Sequence, residues 1–320
     1  MGMIVGIPPH AVREPNFESL RLAMTARGDR YSPALFHGLV GTAFRIGGIC
    51  PCAPTCTSAM PLAEAARLFG YEVAEYPYRD GGGDLKEMVA AVRAAVDRGE
   101  PALVWHAASE CEWDLVAGYE EAEAAFYVRV PWEGEERYGF LKRPWSRSAE
   151  QAGLTGQYAA ILGKKIGELD RRAAIRGALA EAVRHMADAE NADKAGGSEW
   201  VFLQGSAAYA RWAADFANPA HERGLGDAYC SEIYGDCHAL AGPFLRGIAP
   251  EFPEASETLL AAAVYFDFEA KALRSATPLL GWASPTSDAA RNAKASELLA
   301  EASKRYDQAA ASLRTALERM

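Results

Sequence analysis

PALVWHAASECEWDLVAGYEEAEAAFYVRVPW, residues 101–132, is the stretch on which the fold turns. Pro101 to His106 is an apolar run of strand length, Trp113 to Tyr119 is a second, and Ala125 to Val130 is a third, closed by Pro131-Trp132. Short polar turns join the runs, which predicts consecutive strands of an antiparallel sheet. Immediately upstream, Leu85, Met88, Val89, Val92 and Val96 share one face of a helix predicted over Leu85 to Arg98 and ended by Gly99. Further upstream, Glu72 to Tyr76 predicts a strand and Leu62 to Phe69 a helix capped by Gly70. Asn16 to Arg27 predicts a first helix, with Asn16 as its N-cap and Gly28 beyond its end. Leu35 to Ile46 is apolar and glycine-punctuated, suiting a short helix or turn and then a strand. Gly47 to Ser58, with its prolines and cysteines, predicts a loop.

Downstream of about Gln157 the strand signals fade and alanine-rich helical patterns take over. They cover Leu169 to Ala187, Ser198 to Phe216, Ala228 to Leu245, Ala255 to Ser275 and Ser287 to Arg319, with Asp188 to Gly197 as an exposed connector. The expectation is an α+β protein in two domains. Residues 1–160 hold a small antiparallel sheet, and residues 161–320 form an all-α helical domain.

The chain has a formal charge of −10, a pI of about 5.2, and no Lys/Arg cluster longer than Lys164-Lys165 or Arg171-Arg172. Nucleic acid is therefore not an expected partner. No apolar run approaches the ~20 residues of a membrane span, so no membrane partner is expected either. The opening Met1 to His10 lacks the pattern of a secretion signal, and the six cysteines read as reduced thiols. Together these features predict a cytoplasmic location, and the acidic surface permits a homo-oligomer.

Four short motifs carry a resemblance. They are Asn16-Phe17-Glu18-Ser19-Leu20, Gly38-Leu39-Val40-Gly41-Thr42-Ala43-Phe44, Asp97-Arg98-Gly99-Glu100-Pro101 and Asp114-Leu115-Val116-Ala117-Gly118-Tyr119. In this order they resemble the N-terminal domain of the butirosin-biosynthesis protein H family, a papain-like and C39-peptidase-like group. Gly205 to Ala213 resembles a Gly-x-x-Ala-Tyr-x-x-Trp-Ala pattern in the helical C-terminal region of some relatives. The resemblance implies a papain-like fold and acyl-transfer chemistry by a Cys-His-Asp set. Its cysteine opens the first helix, because a helix N-terminus lowers a thiol pKa. Here that position is Phe17, beside Asn16; the histidine position holds Glu112-Trp113, and the acid would fall near Val130 in Arg129-Val130-Pro131. All three members of the set are absent.

The loss of that set implies a small-molecule-binding protein or pseudoenzyme on an acyl-transfer scaffold, its cleft closed by the helical domain. The alternative is an acyltransferase or hydrolase of a small amide, thioester or ester that uses replacement groups; a structural or oligomeric partner is a third reading. The replacement groups would be a thiol of Cys50, Cys52 or Cys56, or acid–base work by Glu112 and Asp114. The three thiols could equally pack as small hydrophobes. They could also bind a soft metal, but zinc favours two-residue spacing and a fourth ligand, so no metal or other cofactor is expected. Strand alternation would place Glu112 and Asp114 on one face, with Cys111 and Trp113 on the other. Asn16, Phe17, His106, Cys111 and Trp113 are expected to line the cleft, although the acids also fit a solvated strand entrance and His106 an ordinary buried histidine. In the helical half, Cys230, Tyr234, Cys237 and Ala241 read as a core stripe, while His221 and His238 lack partners at metal spacing. Trp200, Phe202, Tyr209 and Trp212 read as core or as the wall of a pocket, and Asp80 to Asp84 as a turn.

Overall fold

The structure, a computed structural model, describes residues 1–47, 60–78, 85–109, 112–131, 139–147, 157–187, 203–218, 225–280 and 288–320. In chain order its first part contains β1 (Gly2–Met3), α1 (Pro15–Ala26), α2 (Pro33–Leu39), α3 (Leu62–Leu68), β2 (Tyr71–Tyr78), α4 (Leu85–Asp97), β3 (Ala102–Trp105), β4 (Trp113–Glu120), β5 (Ala125–Arg129), β6 (Leu141–Pro144) and β7 (Gln157–Lys165). Helices come next: α5 (Arg171–Ala187), α6 (Gly205–Ala217), α7 (Leu225–His238), α8 (Ala241–Ile248), α9 (Ser256–Leu280) and α10 (Ala289–Leu317). The chain is thus mixed α+β, with an antiparallel sheet and a helical C-terminal part. Among the described residues no helix is long and apolar enough to cross a membrane.

The chain divides into two compact units, Met1–Pro33 with Met60–Leu169, and Ala34–Ala59 with Asp170–Met320. The first unit is built on the antiparallel sheet, in the order β2-β7-β3-β4-β5-β6, with β1 paired to β4. α4 lays Met88, Val92 and Val96 against Val104, Val116, Val128 and Ile161. The alternate residues Leu103, Leu115, Ala160 and Leu162 are also buried, and α1 packs on β3 and β4. With both faces covered, the central strands lose the in–out alternation that normally marks a strand.

That loss explains the main difference from the sequence reading. β7 lies between β2 and β3, although strand signals fade where it begins. Its Ala159-Ala160-Ile161-Leu162 segment is fully apolar and alanine-rich because both faces are buried, so it resembles helix. The boundary at residue 160 falls inside this strand, and residues 34–47 pack with the helices rather than with the sheet. After α2 comes a turn with only an isolated bridge, Gly47 to Gln204, in place of the expected strand. Within α2 itself, Gly38 is required by close approach, since a Cβ would lie 2.4 Å from the Phe244 ring. The expected helix over Ala228 to Leu245 is two helices, because Pro243 cannot extend a preceding helix.

In the second unit α9 and α10 pack along their length. On α10 the buried residues Ala295, Leu299, Ala302, Tyr306, Ala309, Leu313 and Ala316 recur at alternating four- and three-residue steps, the spacing of a helix–helix seam. α9 matches it with Leu259, Phe266, Leu273 and Leu280, and places Glu269 among them.

Candidate functional site

The N-terminus of α1 is closed by its own chain. The cap is Glu14 rather than Asn16: its carboxylate accepts hydrogen bonds from the amides of Asn16 (3.2 Å), Phe17 (2.8 Å) and Glu18 (3.3 Å). Pro15 at the first helical position leaves Asn16 one step inside, where its side chain is free to turn toward the sheet. Asn16 Nδ2 donates to Glu112 Oε2 at 2.6 Å, and Asn16 Oδ1 accepts from the Trp113 amide at 2.7 Å. Only one orientation of the carboxamide satisfies both partners, because a carboxylate accepts and an amide N–H donates. Glu18 braces the same turn, holding Arg21 through two hydrogen bonds of 2.7 and 2.6 Å and accepting from the Ala11 amide at 2.7 Å.

Across the hairpin, the His106 amide donates to the Glu112 carbonyl at 3.0 Å. His106 takes a left-handed backbone, φ 60°, an unusual conformation for a residue with a Cβ. Trp105 pairs with Trp113 across β3 and β4, their rings edge to face at 5.5 Å. Asp114 accepts from the amides of Ala108 (2.7 Å) and Ser109 (3.0 Å) and from the Ser109 hydroxyl (2.7 Å). Burial pushes its carboxyl up to about 6, outweighing those hydrogen bonds and the charge of Arg147. Near the place where the resemblance expects an orienting acid, Arg129 lies over the Phe140 ring at 4.4 Å.

The structure therefore brings Asn16, Glu112 and Trp113 into direct contact, with Phe17 beside them on α1. Glu112 meets Asn16, while the hydrogen bonds of Asp114 go to the turn at 108–109; Glu112 precedes β4, so strand alternation does not govern it. Asn16, Phe17, His106, Glu112, Trp113 and Asp114 are all buried, which corrects the solvated-entrance reading. Cys50, Cys52, Cys56 and Cys111 lie outside the described residues, as do the expected turn at Asp80 to Asp84, the connector at 188–197, and Trp200, Phe202 and His221.

Neither a family model nor a curated protein matches this chain.

The second unit holds a buried polar cluster that the sequence reading missed. His238 Nδ1 lies 2.7 Å from Glu269 Oε1 and its Nε2 lies 2.7 Å from the Arg45 carbonyl. Burial pulls His238 down, but the Glu269 carboxylate and the hydrogen bonds lift it above the ordinary histidine value. Tyr209 also donates to Glu269, and burial, followed by that carboxylate, holds the phenol well above its ordinary pKa. Around the neighbouring backbone, Tyr306 donates to the Phe44 carbonyl, His185 Nε2 meets Ile46, Gly205 N donates to the Ile46 carbonyl, and Gly47 N donates to the Tyr234 hydroxyl. Gly205 has φ 61°, and a Cβ there would lie 2.4 Å from the His185 carbonyl. Burial pulls His185 down to about 3, so it stays neutral at physiological pH. The cluster thus supplies hydrogen-bond partners to a peptide segment threaded among helices. Tyr209 and Trp212 are core, the latter donating to Asp227 at 2.9 Å, and Cys230 and Cys237 are buried as the stripe reading expects. Among the described residues no group of three or more His, Cys, Asp or Glu is placed to hold a metal.

Proposed function

We propose that this chain is a small-molecule-binding protein of the cell interior, a pseudoenzyme on a papain-like scaffold. The observation that carries the reading is the closed N-terminus of α1. A papain-type nucleophile needs a thiolate at the helix start and a base to form it. Here a carboxylate, Glu14, sits on the first amides, and the side chain that reaches the sheet is a carboxamide bonded to Glu112. Glu14 repels a second anion from those amides. Asn16 offers neither a thiol nor a titrating group.

One observation favours the second reading, acyl transfer by replacement groups: Asp114 titrates at about 6, within reach of acid–base work near neutrality. Its oxygens are nevertheless engaged by Ala108 and Ser109, which supports a structural carboxyl. Native mass spectrometry of freshly purified protein, run beside assays with activated esters and thioesters, tests the choice. The binding reading expects a retained small molecule and no turnover. Turnover abolished by Glu112→Gln, by Asp114→Asn, or by serine at Cys50, Cys52 or Cys56 would replace it with the enzyme reading.

A further inference from the structure

The face of α9 opposite its buried seam residues carries Leu260, Val264 and Phe268, exposed at 43%, 48% and 52%, with Arg305 of α10 lying over one side of the Phe268 ring at 5.4 Å. These are half of the large apolar side chains exposed among the described residues; Met1, Val5 and Ile166 make up the rest and form no such stripe. At the helical angle of about 100° per residue, Glu257, Leu260, Val264, Phe268 and Lys271 fall within an arc of about 80°. The stripe is also symmetric in chemical type about Val264. Leu260 and Phe268 stand four residues to either side of it, and the acid Glu257 and the base Lys271 stand seven to either side. Nearby charges are already engaged within the chain, Asp267 by Arg246 at 2.7 Å and Arg274 by Asp236 at 3.3 Å. Glu257 and Lys271 make no ion pair among the described residues.

We infer that this face binds a second copy of the same chain, with two α9 helices antiparallel about a two-fold axis at Val264. In such an isologous contact residue i meets j and j meets i. Val264 then meets its own copy, Leu260 meets the partner's Phe268, and Glu257 meets the partner's Lys271, each contact occurring twice. A parallel pairing in register would instead place Glu257 against the same acid. A different protein as partner would need an apolar stripe but not this symmetry of charge. The contact spans about 21 Å of helix, so it belongs at the small end of specific interfaces and predicts a dimer that dissociates in the micromolar range.

Analytical ultracentrifugation of the full chain from about 1 to about 200 µM tests the inference across that range. A reversible monomer–dimer equilibrium is expected. Val264→Asp places two carboxylates at the axis and should weaken association at least ~10-fold, since like charges brought together at an interface are costly. Its circular dichroism melt should stay unchanged, because Val264 is half exposed. Glu257→Lys alone should also weaken the dimer, and adding Lys271→Glu should restore it. A monomer at every concentration, a dimer indifferent to Val264→Asp, or a charge swap that fails to restore association would each overturn the inference.

Discussion

At the start of α1 and around residues 44–47 the chain meets one problem, backbone polar groups buried away from water, and meets it with different parts. In the first unit most of the partners are local. Glu14 serves amides two to four residues ahead of it, Asp114 serves the turn five and six residues behind it, and Asn16 makes the long links, to Glu112 and to the Trp113 amide. In the second unit His185, Gly205, Tyr234, His238 and Tyr306 come from separate places on four helices and converge on Phe44 to Gly47. The first arrangement is a helix cap with a strand tied to it, and its pieces can be removed one at a time. The second is interlocked around the His238–Glu269 pair, both residues fully buried, so that losing one member strands several others.

Four substitutions measure that difference, each read by chemical denaturation. Glu269→Ala should cost the most, about 3–5 kcal/mol, since it leaves His238 facing the Arg45 carbonyl without its counter-charge and strips Tyr209 of its acceptor. A cost below about 1 kcal/mol would show that the cluster is not interlocked around this pair. The contribution of His238 has a definite pH sign. With its folded pKa raised, the stabilisation is full below the ordinary value and is lost as pH rises through the folded one. Glu112→Ala should cost about 2 kcal/mol, the penalty of leaving the buried Asn16 Nδ2 without an acceptor.

Asp114→Asn has the opposite sign and depends on pH. The folded carboxyl titrates near 6 against an ordinary 3.8, so its stabilisation is full below 3.8 and is lost as pH rises through about 6. At pH 7 the carboxylate is a buried charge. The asparagine, able to accept from both amides and to donate to Ser109 Oγ, should be more stable by about 1–3 kcal/mol, the shift converted at 1.36 kcal/mol per unit. Near pH 3.5 the two proteins should match. Destabilisation by Asp114→Asn at pH 7 would mean that the three hydrogen bonds outweigh burial. The smallest effect is expected from Glu14→Ala, about 1 kcal/mol for a lost N-cap.

The sequence was legible where structure is local. The turns around β3, β4 and β5, the apolar face of α4 and the glycine after α1 each report their own element. The resemblance pointed to the meeting of α1 with the start of β4, but N-cap preference alone chose Asn16, because Glu is a weak cap by type and Pro15 displaced the cap by two positions. β7 was hidden by burial on both faces, and the His238–Glu269 pair by 31 residues of separation across two helices. No spacing rule links such a pair. A buried carboxylate at a seam position of α9 was the only local sign of it.

The central claim, that Glu14 already fills the helix terminus a nucleophile would need, has a direct test in Phe17→Cys, at the position whose amide Glu14 caps. The alkylation rate of the introduced thiol by iodoacetamide is followed against pH, with peptide mass spectrometry separating it from the six native cysteines. A midpoint at or above the ordinary thiol value of about 8.5 is expected, falling when Glu14→Gln is added and the negative charge leaves the amides. A thiol that titrates well below 7 with Glu14 in place would contradict it.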